Sequence, residues 1–123
     1  MELRKLQKAA VAALEDIKAR DIDVFDVTRL TSMFDRVIIA SAGSGRQLKA
    51  LAGSVQEKTK AAGGRVYGVE GEEGGEWVLI DLGDVIVHIM QPAVRSYYNL
   101  EELWGQPKPR RPRARRPAAA RRG

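Results

Sequence analysis

The chain has 123 residues, one domain's worth, of which 44% are hydrophobic and 30% charged. That mixture excludes fibrous and wholly disordered classes, and no apolar run reaches the roughly 18 residues of a membrane span. With no cysteine and one histidine, His88, the composition rules out a disulfide scaffold, zinc ribbon or thiol nucleophile and argues against a His-rich metal site or a Ser-His-Asp relay.

The first residues carry acid early and lack an apolar segment, so neither a signal peptide nor a transit peptide is expected. The absence of cysteine suits a reducing, cytoplasmic setting. Leu3, Leu6, Ala10, Ala13, Leu14 and Ile17 recur at three and four, which predicts an amphipathic helix over about residues 2–20. Residues 21–27 alternate acid and apolar, as a half-exposed strand does, and residues 28–34 read as a turn or short helical loop. Residues 35–40 are a short apolar run, the pattern of a buried strand. The Ser-Ala-Gly-Ser-Gly stretch from Ser41 to Gly45 breaks it. Ser44 followed by Gln47 is a capping-box signature. Leu48, Leu51, Ala52, Val55 and Thr59 then line one face of a helix over about 44–62, which Gly63 and Gly64 end.

Residues 65–70 form the next strand. Strand, helix and strand make a βαβ unit whose two strands run parallel through a right-handed crossover. Residues 71–75, rich in Glu and Gly, are a loop. Residues 76–81 and 84–90 are two strong strands around a two-residue turn, Leu82-Gly83. Pro92 ends the last strand, and Asn99 with Glu102 caps a final helical turn over 100–104. There is no internal repeat. Residues 1–104 therefore read as one α/β domain, a mixed sheet of about five strands with flanking helices.

Charge divides the chain. Residues 105–123 hold eight cations (Lys108, Arg110, Arg111, Arg113, Arg115, Arg116, Arg121, Arg122), no acid, and four of the five prolines. Such a tail is expected to be extended and disordered. It suits salt-sensitive contact with RNA phosphates, without interleaved aromatics for base stacking, or else it is a solvated extension. The rest of the chain keeps 13 basic and 16 acidic residues, a net charge of −3.

A Leu82-Gly83 turn sets Asp81 opposite Asp84, Leu79 opposite Ile86 and Trp77 opposite His88. These six side chains share one sheet face, and Val78, Ile80, Val85 and Val87 share the other. The purely apolar face belongs against the helices. Two carboxylates facing each other repel, so the pair needs a use: a metal, acid/base chemistry or a cationic partner. Of these the partner fits best, with Trp77 beside the carboxylates as an aromatic anchor. The plainer alternative is that both aspartates cap the turn and Trp77 is core. Likewise Gly43-Ser44-Gly45-Arg46 is either an anion cradle or simply a helix cap, the cap being the simpler account. His88 reads as a hydrogen-bonded core or interface residue. Tyr97, Tyr98 and Trp104 either pack the C-terminal turn onto the sheet or form a binding rim.

Several segments together carry a resemblance. Asp35-Arg-Val-Ile-Ile-Ala40, Ser44-Gly-Arg-Gln47, Glu70-Gly71, the run from Trp77 through Asp81-Leu-Gly-Asp84 to Ile89, and Arg95-Ser-Tyr-Tyr-Asn-Leu-Glu-Glu-Leu-Trp104 resemble, in order, the ribosomal silencing factor family, also called the Iojap family. The resemblance spans about residues 3–104 and leaves the arginine-rich tail outside. It implies a nucleotidyltransferase-like fold without catalysis or a cofactor. It also implies binding to the large ribosomal subunit through large-subunit protein fourteen, which blocks joining of the small subunit and lowers translation when nutrients are short. Homodimers are a further implied possibility. On this basis the expected anchor is Trp77, Asp81, Leu82, Gly83 and Asp84, flanked by His88, Tyr97 and Tyr98. An enzymatic alternative places a nucleotide at residues 43–45. Magnesium there wants two carboxylates one residue apart on the neighbouring strand, where the sequence offers only Glu70.

Overall fold

The computed structural model describes residues 1–105; the tail beyond them, and the disorder expected of it, lie outside the described residues. Helix α1 (Leu3–Asp16) buries Leu6, Ala10, Val11, Ala13 and Leu14 along one stripe. It stops short of the expected residue 20 because Lys18 takes left-handed backbone, φ 64°, and the chain turns into strand β1 (Arg20–Asp26). A loop returns it as β2 (Arg36–Ser41), antiparallel to β1.

Helix α2 (Gly45–Ala61) starts where Ser44 Oγ accepts a hydrogen bond from the Gln47 amide at 3.1 Å, the cap expected from the sequence. The Gln47 side chain goes elsewhere. Its Oε1 accepts from the Gly43 amide at 2.6 Å, and its Nε2 donates to the carbonyls of Ile17 and Lys18 at 2.9 and 3.1 Å. One residue thus satisfies donors before α2 and acceptors just after α1, groups that a helix end otherwise leaves open.

The chain continues through β3 (Gly68–Glu70), a 3-10 turn at Glu72–Gly74, β4 (Trp77–Asp81) and β5 (Val85–Met90). Helices α3 (Pro92–Tyr98) and α4 (Glu101–Trp104) follow. Pro92 starts α3 rather than only ending a strand. Its ring suits the first helical turn, where an N–H has no partner in any case.

The five strands form one mixed sheet in the order β1-β2-β5-β4-β3. β2 pairs with β5 in parallel; β5 with β4 and β4 with β3 pair antiparallel. The strands of the expected βαβ unit, β2 and β3, therefore run in the same direction but are not neighbours, because β5 and β4 insert between them. One face carries Val24, Ile38, Ala40, Val78, Ile80, Leu82, Val85, Val87 and Ile89 against α1 and α2. The other face has a smaller cluster, Phe25, Val27, Val37 and Ile39, covered by Phe34, Leu100 and Trp104. So α3 and α4 form a strap over the β1–β2 half of that second face.

Candidate functional site

The β4–β5 hairpin carries Trp77, Asp81, Leu82, Gly83 and Asp84, but in a register different from the expected one. Leu82 donates its amide to the Val85 carbonyl at 2.9 Å, and the register pairs Asp81 with Ile86, Leu79 with His88 and Trp77 with Met90. The turn residues are Gly83 and Asp84, not Leu82 and Gly83. The physical reason is twofold. Gly83 has φ 92°, which suits a glycine at the first central position of a two-residue hairpin turn. Apolar Leu82 gains more by staying in the strand and pointing into the helix-side core, where it is 3% exposed.

The partners move by two residues, and side chains alternate with a period of two, so the faces are unchanged. Trp77, Leu79, Asp81, Ile86 and His88 still share the face turned away from α1 and α2. The Asp81–Asp84 pairing does not exist, and the argument from like-charge repulsion goes with it. Asp81 Oδ1 accepts from the Gly83 amide at 2.8 Å, which is the turn-capping alternative. Asp84 is exposed in the turn, and its carbonyl accepts from the amides of Asp35 and Arg36 at 2.8 and 3.1 Å, fixing the turn to the start of β2. Leu82, buried on the other face, shapes the turn and cannot touch a visitor.

At the opposite end of β4 the aromatic residues converge. Trp77 Nε1 donates to His88 Nδ1 at 3.0 Å. The Trp77 ring lies 4.9 Å from that of Tyr98, and Tyr98 lies 4.9 Å from Tyr97, edge on. Trp77 is half-buried, while Tyr98 is 53% and Tyr97 80% exposed. The three rings make an open aromatic surface of the kind that anchors protein interfaces. His88 lies beneath it, 8% exposed, and burial lowers its pKa from 6.5 to about 4. The imidazole is neutral near pH 7 and accepts the indole proton, so it supports Trp77 rather than offering a charge.

Arg95 opens the family-like segment 95–104 but has no role assigned from sequence; it anchors the strap behind this surface. Its guanidinium pairs with Asp23 at 2.8 Å and with Glu101 at 2.7 Å, and donates to Ser41 Oγ and the Asp21 carbonyl. Near the turn, the exposed Tyr67 ring packs over Gly83 and carries the Arg65 guanidinium 5.0 Å from its centroid. Neither residue stood out beforehand.

At residues 43–45, Gln47 takes the Gly43 amide through its side chain and occupies Ser44 Oγ through its backbone amide, so a helix cap accounts for both groups. No group of three or more His, Asp or Glu side chains among the described residues could hold a metal ion. No helix among them is long and apolar enough to cross a membrane.

The chain matches the family model described as "Ribosomal silencing factor during starvation" over residues 1–122. It is 57% identical over 109 residues to the ribosomal silencing factor RsfS of Chromobacterium violaceum, covering 89% of each chain. A crystal structure of a protein from the same organism superposes with a TM-score of 0.84 at 54% identity, over 94% of this chain and 98% of that one. A mouse protein named "Mitochondrial assembly of ribosomal large subunit protein 1" is 31% identical over 97 residues, 76% of this chain and 42% of its own length.

Proposed function

Because this chain belongs to the ribosomal silencing factor family, we propose that it silences ribosomes by docking on the large subunit through protein fourteen and excluding the small subunit. The observation that carries this reading is the open aromatic surface of Trp77, Tyr98 and Tyr97 on the sheet face that α1 and α2 leave uncovered. Along the same sheet face lie half-buried Leu79 and exposed Glu70, then half-buried Asp81 at the turn end of β4, and exposed Asp84 stands at the hairpin tip.

Steric exclusion needs no chemistry, only a tight site that overlaps another partner's. Large rigid rings bury much area at little entropic cost, and a rim of carboxylates steers a basic partner toward them. Outside the tail the chain carries a net −3, which fits a basic ribosomal surface. The resident contacts are then Trp77, Tyr97, Tyr98, Asp81 and Asp84. His88 holds Trp77 in place, and Gly83 with Leu82 shapes the turn.

Salt-dependent sedimentation tests this. Full-length protein is expected to travel with purified large subunits and not with small ones, and to lose this on Trp77→Ala. Protein that sediments equally with both subunits, or a Trp77→Ala variant that sediments unchanged, contradicts the reading. Deleting residues 106–123 separates a second contribution, RNA contact by the eight cations of the tail. That deletion is expected to weaken association at low salt only.

A further inference from the structure

We propose that Arg95 is the positioning residue of the docking face: it holds the α3–α4 strap in the placement that brings Tyr98 onto Trp77. This inference rests on the docking reading above.

The strap cannot hold itself. α3 has seven residues and α4 four, both far below the length at which a helix is stable alone. Besides Leu100, which packs on the second-face cluster, it is pinned at two points. At its far end Trp104 meets Phe34 edge on, ring centroids 6.0 Å apart. At its near end stands Arg95, 9% exposed. Arg95 Nη2 reaches Asp23 Oδ2 at 2.8 Å, and Nη1 reaches the Asp21 carbonyl at 2.7 Å and Ser41 Oγ at 2.8 Å. Nε reaches Glu101 Oε2 at 2.7 Å. One guanidinium therefore joins α3 to β1 and β2, and also holds the first residue of α4.

Tyr97 and Tyr98 lie between the two pins, so their place over the sheet is set by both. Asn99, just beyond them, takes left-handed backbone with φ 47°, and its amide donates to the Arg95 carbonyl at 2.8 Å. The chain thus reverses direction directly after the tyrosines, around the same residue. The fixed fork of an arginine can serve four partners in set directions; the single ammonium of a lysine cannot. Glu101 is more peripheral, its side chain 24% exposed, and its bond to Arg95 ties one part of the strap to the other. Removing it loosens α4 while Asp23 keeps its cation.

Three full-length variants test the proposal: Arg95→Lys, Glu101→Ala and, as a control on the docking reading, Trp77→Ala. The readouts are sedimentation with large subunits, amide hydrogen exchange, and the NMR signal of the Trp77 indole N–H, assigned by its loss in Trp77→Phe. Arg95→Lys is expected to weaken association by at least about tenfold, the scale of one lost hot-spot contact. Exchange is expected to rise over residues 92–104 with the strands unchanged, and the indole signal to move as Tyr98 leaves the ring. Glu101→Ala is expected to act in the same direction, more weakly.

Full association in both strap variants alongside a defective Trp77→Ala overturns the positioning role and leaves the docking reading standing. Full association of Trp77→Ala overturns the docking reading instead. The indole signal then judges Arg95 alone, and an unmoved signal in Arg95→Lys and Glu101→Ala overturns its role. If Arg95→Lys does not fold, Glu101→Ala carries the test. Faster exchange across all five strands in that variant marks general destabilisation and contradicts positioning.

Discussion

Trp77 and His88 are joined by a hydrogen bond from the indole Nε1 to the imidazole Nδ1, 3.0 Å long, across adjacent antiparallel strands and two residues off the direct pairing, on the same face. An indole N–H can only donate, so Nδ1 is unprotonated and the ring's single proton sits on Nε2. The most exposed aromatic cluster of the protein is thereby supported from below by a neutral, buried histidine.

The burial of His88 makes stability depend on pH. Burial lowers the His88 pKa from 6.5 to about 4 in the folded state. Between those values the unfolded chain binds a proton that the folded chain refuses, so stability rises with pH across this window and falls as pH drops from about 6.5 to about 4. The full effect is roughly 3 kcal/mol. Urea denaturation at several pH values checks this. His88→Asn keeps an acceptor near Nδ1 and removes the titration, so its curve is expected to be flatter than that of the wild type over this window. Identical slopes contradict the account.

Loss of the acceptor has its own cost. His88→Phe leaves the half-buried indole N–H without its partner and is expected to destabilise by about 1–3 kcal/mol. Chemical denaturation measures it. Trp77→Phe removes the donor instead and is expected to cost a comparable amount, since the buried Nδ1 is then unpaired.

The two aspartates of the hairpin separate by role. Asp81 Oδ1 holds the turn through the Gly83 amide, so Asp81→Ala is expected to lose about 1 kcal/mol of stability. Asp84 is exposed, and Asp84→Lys is expected to leave stability within about 0.5 kcal/mol while slowing association with large subunits, most at low salt. Thermal melts and stopped-flow binding check the two halves. Equal effects of both variants on stability contradict the assignment.

Gly83 is required for its backbone. A β-carbon there meets φ 92° and lies 2.9 Å from Tyr67 Cε1. Gly83→Ala is expected to destabilise by about 1–2 kcal/mol. The tyrosine ring is at the surface and can swing aside, so adding Tyr67→Ala is expected to restore only the smaller part. Full restoration in the double variant means that the contact, not the backbone, sets the cost.

What the sequence made legible follows from local physics. The two faces of β4 and β5 are legible because successive side chains point to opposite faces, a period that survives a shift of two. The register is not, because Leu82-Gly83 and Gly83-Asp84 both look like two-residue turns. The signal that distinguishes them is the preference for glycine at the first central position. The strands β2 and β3 were found, but nothing local to either says that β5 and β4 come between them. α3 is not legible, because Pro92 after a strong strand reads as a strand breaker although it equally suits the first turn of a helix. The anchoring role of Arg95 is illegible for a different reason: a buried arginine is explained by its partners, and Asp23 and Ser41 lie 72 and 54 residues away. Trp77, Tyr97 and Tyr98 stood out as aromatics, but their contact depends on that same anchor.

The most direct test of the central claim is a subunit-joining assay, with light scattering following association of large and small subunits in the presence of the full-length protein. Wild-type protein is expected to suppress joining in a concentration-dependent way. The Trp77→Ala, Tyr98→Ala double variant, folded by circular dichroism, is expected to fail to do so. Suppression by the double variant equal to that of the wild type contradicts a mechanism that works through this aromatic face.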